Sequence, residues 1–231
     1  MSTFGDFYRK QWPRVGAVSA MALGGASVLV ASAKKPDLNV RALSVMNSVT
    51  MSAHQYEEYV DPGYFPGMAN RTMFKSNQPR NWPMNTQGLM CANVGFSALY
   101  VLPILFPKVK WLALPAAALG IFQAFGHGVL MPRMAHTKYS PGFVTSFLLH
   151  VPIGIATIRA IHAKGPITGG DVAKSAGALA TFLLAGVIAP NYLAVDRNSP
   201  YVIPDEQMGR YDIEPGPEDV EPEKTESETA E

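Results

Sequence analysis

Acid is scarce in most of this chain. Of 18 Asp and Glu, 12 lie from Asp196 onward, and the first 195 residues hold only Asp6, Asp37, Glu57, Glu58, Asp61 and Asp171. Cysteine is nearly absent. Cys91 stands alone, which excludes an internal disulfide, and its apolar surroundings mark it as a small packing residue. There is no HExxH, so the helix motif of the zinc proteases is excluded. No internal repeat is visible, which argues against a transporter built from paired halves. The net charge of +1 is a cancellation. Residues 1–195 carry 16 Lys and Arg against 6 acids, a net of +10, and residues 196–231 carry 3 against 12, a net of −9.

What the chain does have is long uncharged runs. Val15 to Ala33 is nineteen residues without a charge, which suits a spanning helix of about twenty. The same run, with Arg9, Lys10 and Arg14 before it and Ala31-Ser32-Ala33 at its end, also fits a signal peptide or an organelle-targeting segment. Lys34-Lys35-Pro36-Asp37 breaks this first helix. The second is expected over Leu38 to Val60, the third over Gln87 to Pro107 and the fourth over Trp111 to Pro132. The fifth opens at Pro141, a favourable first helical residue, and runs to Ile161. The sixth covers Val172 to Val195, where Ala176, Gly177, Ala180, Ala185 and Gly186 would allow close helix contact in lipid. Lys and Arg divide almost evenly between the two sides of such a bundle, so the positive-inside rule assigns no orientation.

Residues 61–86 form a long connection rich in Pro, Gly, Asn and aromatics. It reads as a lid or as a surface loop anchored at the interface by Tyr64, Phe65 and Trp82. From Asp196 the chain is acidic with few large apolar residues, and a disordered tail is expected. Such a tail is solvated or recruits a basic protein partner; no nucleic-acid partner is expected.

The second helix concentrates the chemistry. Asn47, Thr50, His54, Glu57 and Glu58 fall along one stripe at helical spacing, and residues i, i+3 and i+4 share a face. His54, Glu57 and Glu58 therefore converge near the carboxyl end of their helix. There the dipole disfavours anions by roughly 0.3–1 kcal/mol each, so a proton, a metal or a basic side chain should offset them. In the fourth helix Gln123 and His127 lie one turn apart among Gly120, Gly126 and Gly128. Strongly polar groups in a spanning helix face a cavity or a partner, which makes His127 the partner of the His54, Glu57 and Glu58 cluster. Tyr139 can bring a hydroxyl near the same membrane face. His150 reads as a histidine hydrogen-bonded to a neighbouring helix, and His136 and His162 as interfacial.

Two carboxylates and two imidazoles can bind zinc or iron and leave one glutamate as a general base. They can equally make a metal-free acid–base pair, a structural polar network with Arg41 or Arg71 as counter-charges, or a ligand site without chemistry.

The ordered set His54-Gln55-Tyr56-Glu57-Glu58, Tyr59, Pro62-Gly63, Asn93, His127 and Tyr139-Ser140-Pro141-Gly142 followed by Phe143-Val144-Thr145 resembles the HXXEE domain family over residues 40–162. That family comprises small multi-helix membrane proteins of unknown function. The resemblance rests on HxxEE, a further histidine and a YxPG motif in order, and it implies an enzyme without implying a reaction.

The expected protein is all-α: a polytopic transmembrane bundle of five or six helices with a disordered acidic tail. Residues 1–37 are the lead and first spanning helix, 38–164 the HXXEE-like domain, 165–195 the last spanning helix and 196–231 the tail. The expected activity is that of a membrane-embedded enzyme acting on a lipid-like or small apolar substrate. His54, Glu58 and His127 are the expected ligands of zinc or iron, and Glu57, Glu58 and Tyr139 the catalytic residues. The alternative is a membrane scaffold or assembly subunit.

Overall fold

The computed structural model describes residues 4–33, 40–193 and 196–212, and among them every regular element is helical. Eight helices follow in order: α1 Phe4–Ala33, α2 Val40–Tyr59, α3 Phe65–Met68, α4 Thr86–Leu105, α5 Lys110–Met134, α6 Phe143–Ala163, α7 Gly169–Leu193 and α8 Asp205–Met208. Four of them, α4, α5, α6 and α7, are long and apolar enough to cross a membrane. The chain is thus an integral membrane protein built as an all-α bundle.

α2 sits at the centre, packed against α1, α4, α5 and α6. Its polar stripe faces inward: Asn47, Thr50, His54, Glu57 and Glu58 are all buried. Buried polar groups need partners, and neighbouring helices supply some of them. Asn47 donates to Thr157 Oγ1 on α6 at 2.9 Å. Gln55 donates to Asn93 on α4 at 2.9 Å, and Asn93 in turn donates to the Tyr59 hydroxyl at 3.2 Å.

Helix starts follow local chemistry. Asn85 caps α4 by accepting from the Gln87 and Gly88 amides at 3.0 and 2.9 Å. Thr168 and Asp171 make a capping box at α7, which moves its start ahead of the expected Val172. α1 begins at Phe4, well before the expected Val15, since nothing in the lead breaks a helix and Pro13 is accommodated inside it. α6 begins at Phe143, after the expected Pro141. Gly142 takes φ 98°, a left-handed value open to glycine, and this turn separates Pro141 from the helix. α5, α6 and α7 each contain a stretch of π-helical turn: Gly126–Leu130, Ser146–His150 and Leu183–Leu193.

Three expectations are corrected. The 61–86 connection is more than a surface loop. Met68, Ala69, Asn70 and Met84 are buried, and the Asn70 side chain ties the segment together through Pro79 O at 2.7 Å and Met84 O at 2.9 Å. Trp82 packs on Tyr192 and lies under Arg197. α7 lies on the outside of the bundle, with 6% of its apolar window buried. A Cβ at Gly177 or Gly186 would meet no atom of the described residues within 4 Å, so these two glycines mediate no close helix contact among the described residues. Cys91 is exposed, not packed.

The tail boundary also moves. Residues 196–212 are ordered, because Ile203 and Met208 are fully buried and acidic groups find a cation inside the chain. Arg80 pairs with Asp205 at 2.8 Å and with Asp212. Gly67 makes room for α8, since a Cβ there would lie 2.6 Å from Met208 Cα. The remainder of the expected tail, from residue 213, lies outside the described residues, as do Lys34 to Asp37.

Candidate metal centre

The centre forms where the carboxyl end of α2 meets the π turns of α5 and α6. His54 is fully buried and Glu58 is 5% exposed. Both imidazoles turn Nε2 toward one carboxylate oxygen. Glu58 Oε1 lies 3.5 Å from His54 Nε2 and 3.3 Å from His127 Nε2. Ligand atoms of His54, Glu58 and His127 all lie within 4.8 Å of one another.

The Nδ1 atoms are held by hydroxyls. His54 Nδ1 is 3.1 Å from Thr145 Oγ1 and 3.2 Å from Ser146 Oγ, and His127 Nδ1 is 3.0 Å from Ser140 Oγ. Thr145 donates its own proton to Glu57 Oε2 at 2.5 Å. Toward His54 its oxygen can then only accept. A proton on His54 Nδ1 fits this acceptor, and Nε2 faces Glu58. Ser140 is placed similarly, donating to Pro141 O at 3.3 Å with its oxygen facing His127 Nδ1. Outer hydroxyls of this kind set tautomer and ring orientation at metal-ligating histidines. The Gln123 amide, 3.3 Å from His54 Nε2, completes the wall.

Glu57 points away from the cluster and has its own partners. It accepts from the Tyr139 hydroxyl at 2.6 Å, the Val144 amide at 3.1 Å, and the Thr145 amide at 2.8 Å in addition to the Thr145 hydroxyl. Four donors satisfy it without a cation. Among the described residues, Glu58 has only imidazoles as partners. Burial of a carboxylate costs several kcal/mol unless its charge is offset, so a proton on Glu58 or an imidazole, or a cation in the cluster, is required. The expected counter-charges from arginine are not there: Arg41 is exposed, and Arg71 donates to Tyr211 O and Ser76 O.

Tyr139 lies in the turn between α5 and α6. Its phenol pKa is raised by burial, and further by the hydrogen bond to Glu57 and that carboxylate's charge. Gly142 closes the turn against the rings. A Cβ there would lie 2.6 Å from His54 Cε1 and 2.9 Å from His127 Cε1. Phe65, from the 61–86 segment, covers His127 with ring centroids 5.1 Å apart.

Sequence reasoning places His54, Glu57, Glu58 and His127 together; the fold brings His54, Glu58 and His127 together, with Gln123 beside them, and turns Glu57 away. It places Tyr139 near them, and the fold attaches it to Glu57. It misses Ser140, Thr145 and Ser146 as the groups that orient the imidazoles. The signal for them was their place in and just after Tyr139-Ser140-Pro141-Gly142. It also misreads His150. That ring is fully buried, 5.3 Å from the His54 ring, and neither nitrogen has a hydrogen-bond partner among the described residues. Gly120 makes room for it, since a Cβ there would come within 2.5 Å of its Nδ1. His136 and His162 are exposed and outside the site.

A helical membrane bundle with a buried His–Glu–His cluster, capable of metal or acid–base chemistry, is the class that fold and site define. Residues 45–157 match the family described as a protein of unknown function with HXXEE motif. No curated protein and no solved structure matches the chain.

Proposed function

We propose that this protein is a membrane-embedded enzyme in which His54, Glu58 and His127 hold one zinc or iron ion, acting on a lipid-like or small apolar substrate. The observation that carries this reading is the convergence of two Nε2 atoms on one Glu58 oxygen, with each Nδ1 held from behind by a hydroxyl. Two imidazoles and a carboxylate suit zinc or iron, and a divalent cation would offset the charge of Glu58. Such an ion supplies Lewis acidity to a substrate oxygen. In this reading Glu58 holds the ion between the imidazoles, and the Tyr139 phenol and Glu57 carboxylate move the proton. α1 and α2 cross the membrane with the four apolar helices, so that six helices enclose the site.

The test is elemental analysis of detergent-purified protein beside a His54→Ala/His127→Ala double variant of equal helicity. Near-stoichiometric zinc or iron in the parent, lost in the variant, is the expected result. The same metal content in both, or none in the parent, would overturn the metal reading and leave a protonic site.

A further inference from the structure

Beside the cluster lies a groove of about 500 Å³ between α1, α2 and the start of α6, within the range of small-molecule sites, about 300–1,000 Å³. One wall is aliphatic: Ala17 and Met21 of α1, Val49 and Ala53 of α2, and Val144 of α6. The other end is polar and acidic, formed by Tyr56, Glu57, Asp61, Tyr139 and Thr145. Among the described residues, no Lys, Arg or His lines it. This is unusual for the chain, whose first 195 residues carry 16 Lys and Arg against 6 acids; two of those six acids meet here. Glu57 is held by four donors and contributes its charge to the groove. Asp61 is exposed and in no ion pair among the described residues.

We propose that this groove binds a single-chain amphiphile with a cationic amine head. The hydrocarbon chain lies along the aliphatic wall, and the ammonium group lies between Asp61 and Glu57. A phosphate or carboxylate head would face two carboxylates with no cation to receive it, and like charges repel more strongly at a poorly solvated site than in water. An aliphatic amine stays protonated at neutral pH, as lysine does. Two phenols beside the head add groups that attract ammonium. The inference rests on the proposed enzyme reading and names its substrate class. Thr145, which lines the groove, is also bonded to His54 Nδ1, so the amine head sits one side chain from the His–Glu–His cluster.

The experiment uses the full chain in nanodiscs of zwitterionic lipid, with radiolabelled dodecylamine as the probe and dodecanoic acid and dodecanol as competitors. Dodecylamine should bind, with dodecanoic acid at least about tenfold weaker. Asp61→Asn should weaken the amine about tenfold and leave dodecanol competition unchanged. Ala53→Phe fills the groove from α2 and Met21→Trp from α1; each should weaken the amine to a similar extent, and the second variant stands if the first fails to fold. Equal binding of acid and amine, or unchanged amine binding in the folded filling variants, would overturn the proposal. Metal is measured on the same samples. Amine selectivity in protein without metal would uphold the groove and sink the metal reading, whereas metal without amine selectivity would do the reverse.

Discussion

At the scale of single residues, the hydroxyl of Thr145 is the most informative atom outside the cluster. It gives its proton to Glu57 and lies 3.1 Å from His54 Nδ1, and so couples the two carboxylate environments. Thr145→Val keeps the shape and removes the coupling. Losing such an outer-shell partner typically costs 10–100-fold in metal affinity, so zinc or iron titration should show a loss of about that size, with Thr145→Ser close to the parent. Gly142 is the second case. Alanine there would be strained twice, by φ 98° and by a Cβ 2.6 Å from His54 Cε1. Strained backbone alone costs about 1–3 kcal/mol, and Gly142→Ala should lower the thermal midpoint in detergent and disorder the His54 and His127 pair. Tyr139 supplies a pH dependence. Its pKa in the folded chain is raised by burial and by Glu57, so the phenol ionises more readily when unfolded, at about 10. Stability from this group is complete below pH about 10 and is lost as the pH rises beyond it. Tyr139→Phe should flatten that alkaline decline in thermal unfolding, and an unchanged alkaline limb would refute the assignment.

At the scale of elements, the helices end where their caps allow. Asn85 accepts from two amides at the start of α4, and Asn85→Ala should cost about 1 kcal/mol, measured as a lower denaturation midpoint with the site's metal content kept. The π turns of α5 and α6 carry His127, Ser146 and His150. Each widens its helix locally and re-aims the side chains that meet α2, a common device at functional positions. Apolar periodicity made these helices legible but not their π turns, because inserting one residue per turn leaves an all-apolar run all-apolar. The late start of α6 escaped notice for a related reason: Pro141 is a good first helical residue in general, and only the contact of Gly142 with two imidazoles forces the chain into a left-handed turn first.

At the scale of the whole molecule, the surprise is the segment 196–212. Its composition reads as solvated chain, yet Ile203, Met208 and Tyr211 are buried beneath the 61–86 connection, and Arg80 receives Asp205 and Asp212. A few apolar residues sufficed because a preformed surface received them. Met208→Ala removes a fully buried side chain next to Gly67 and should cost about 2–5 kcal/mol, read as a drop in unfolding midpoint; a surface residue would shift it far less. This packing also holds the 61–86 segment, and with it Phe65, over His127.

The sequence by itself determined that the chain is a bundle of membrane-length helices, that α2 turns a polar stripe inward, and that HxxEE, His127 and the Tyr139 turn belong to one family pattern. Those properties are local: hydropathy and a period of 3.6 residues specify what each helix must bury. Only the tertiary structure decided which faces meet. The pairing of Nδ1 atoms with hydroxyls, the isolation of His150, the saturation of Glu57 by the α6 turn, the acidic groove and the docking of residues 196–212 all join positions far apart in the chain. A single sequence carries the side chains of each contact but not the distance between them.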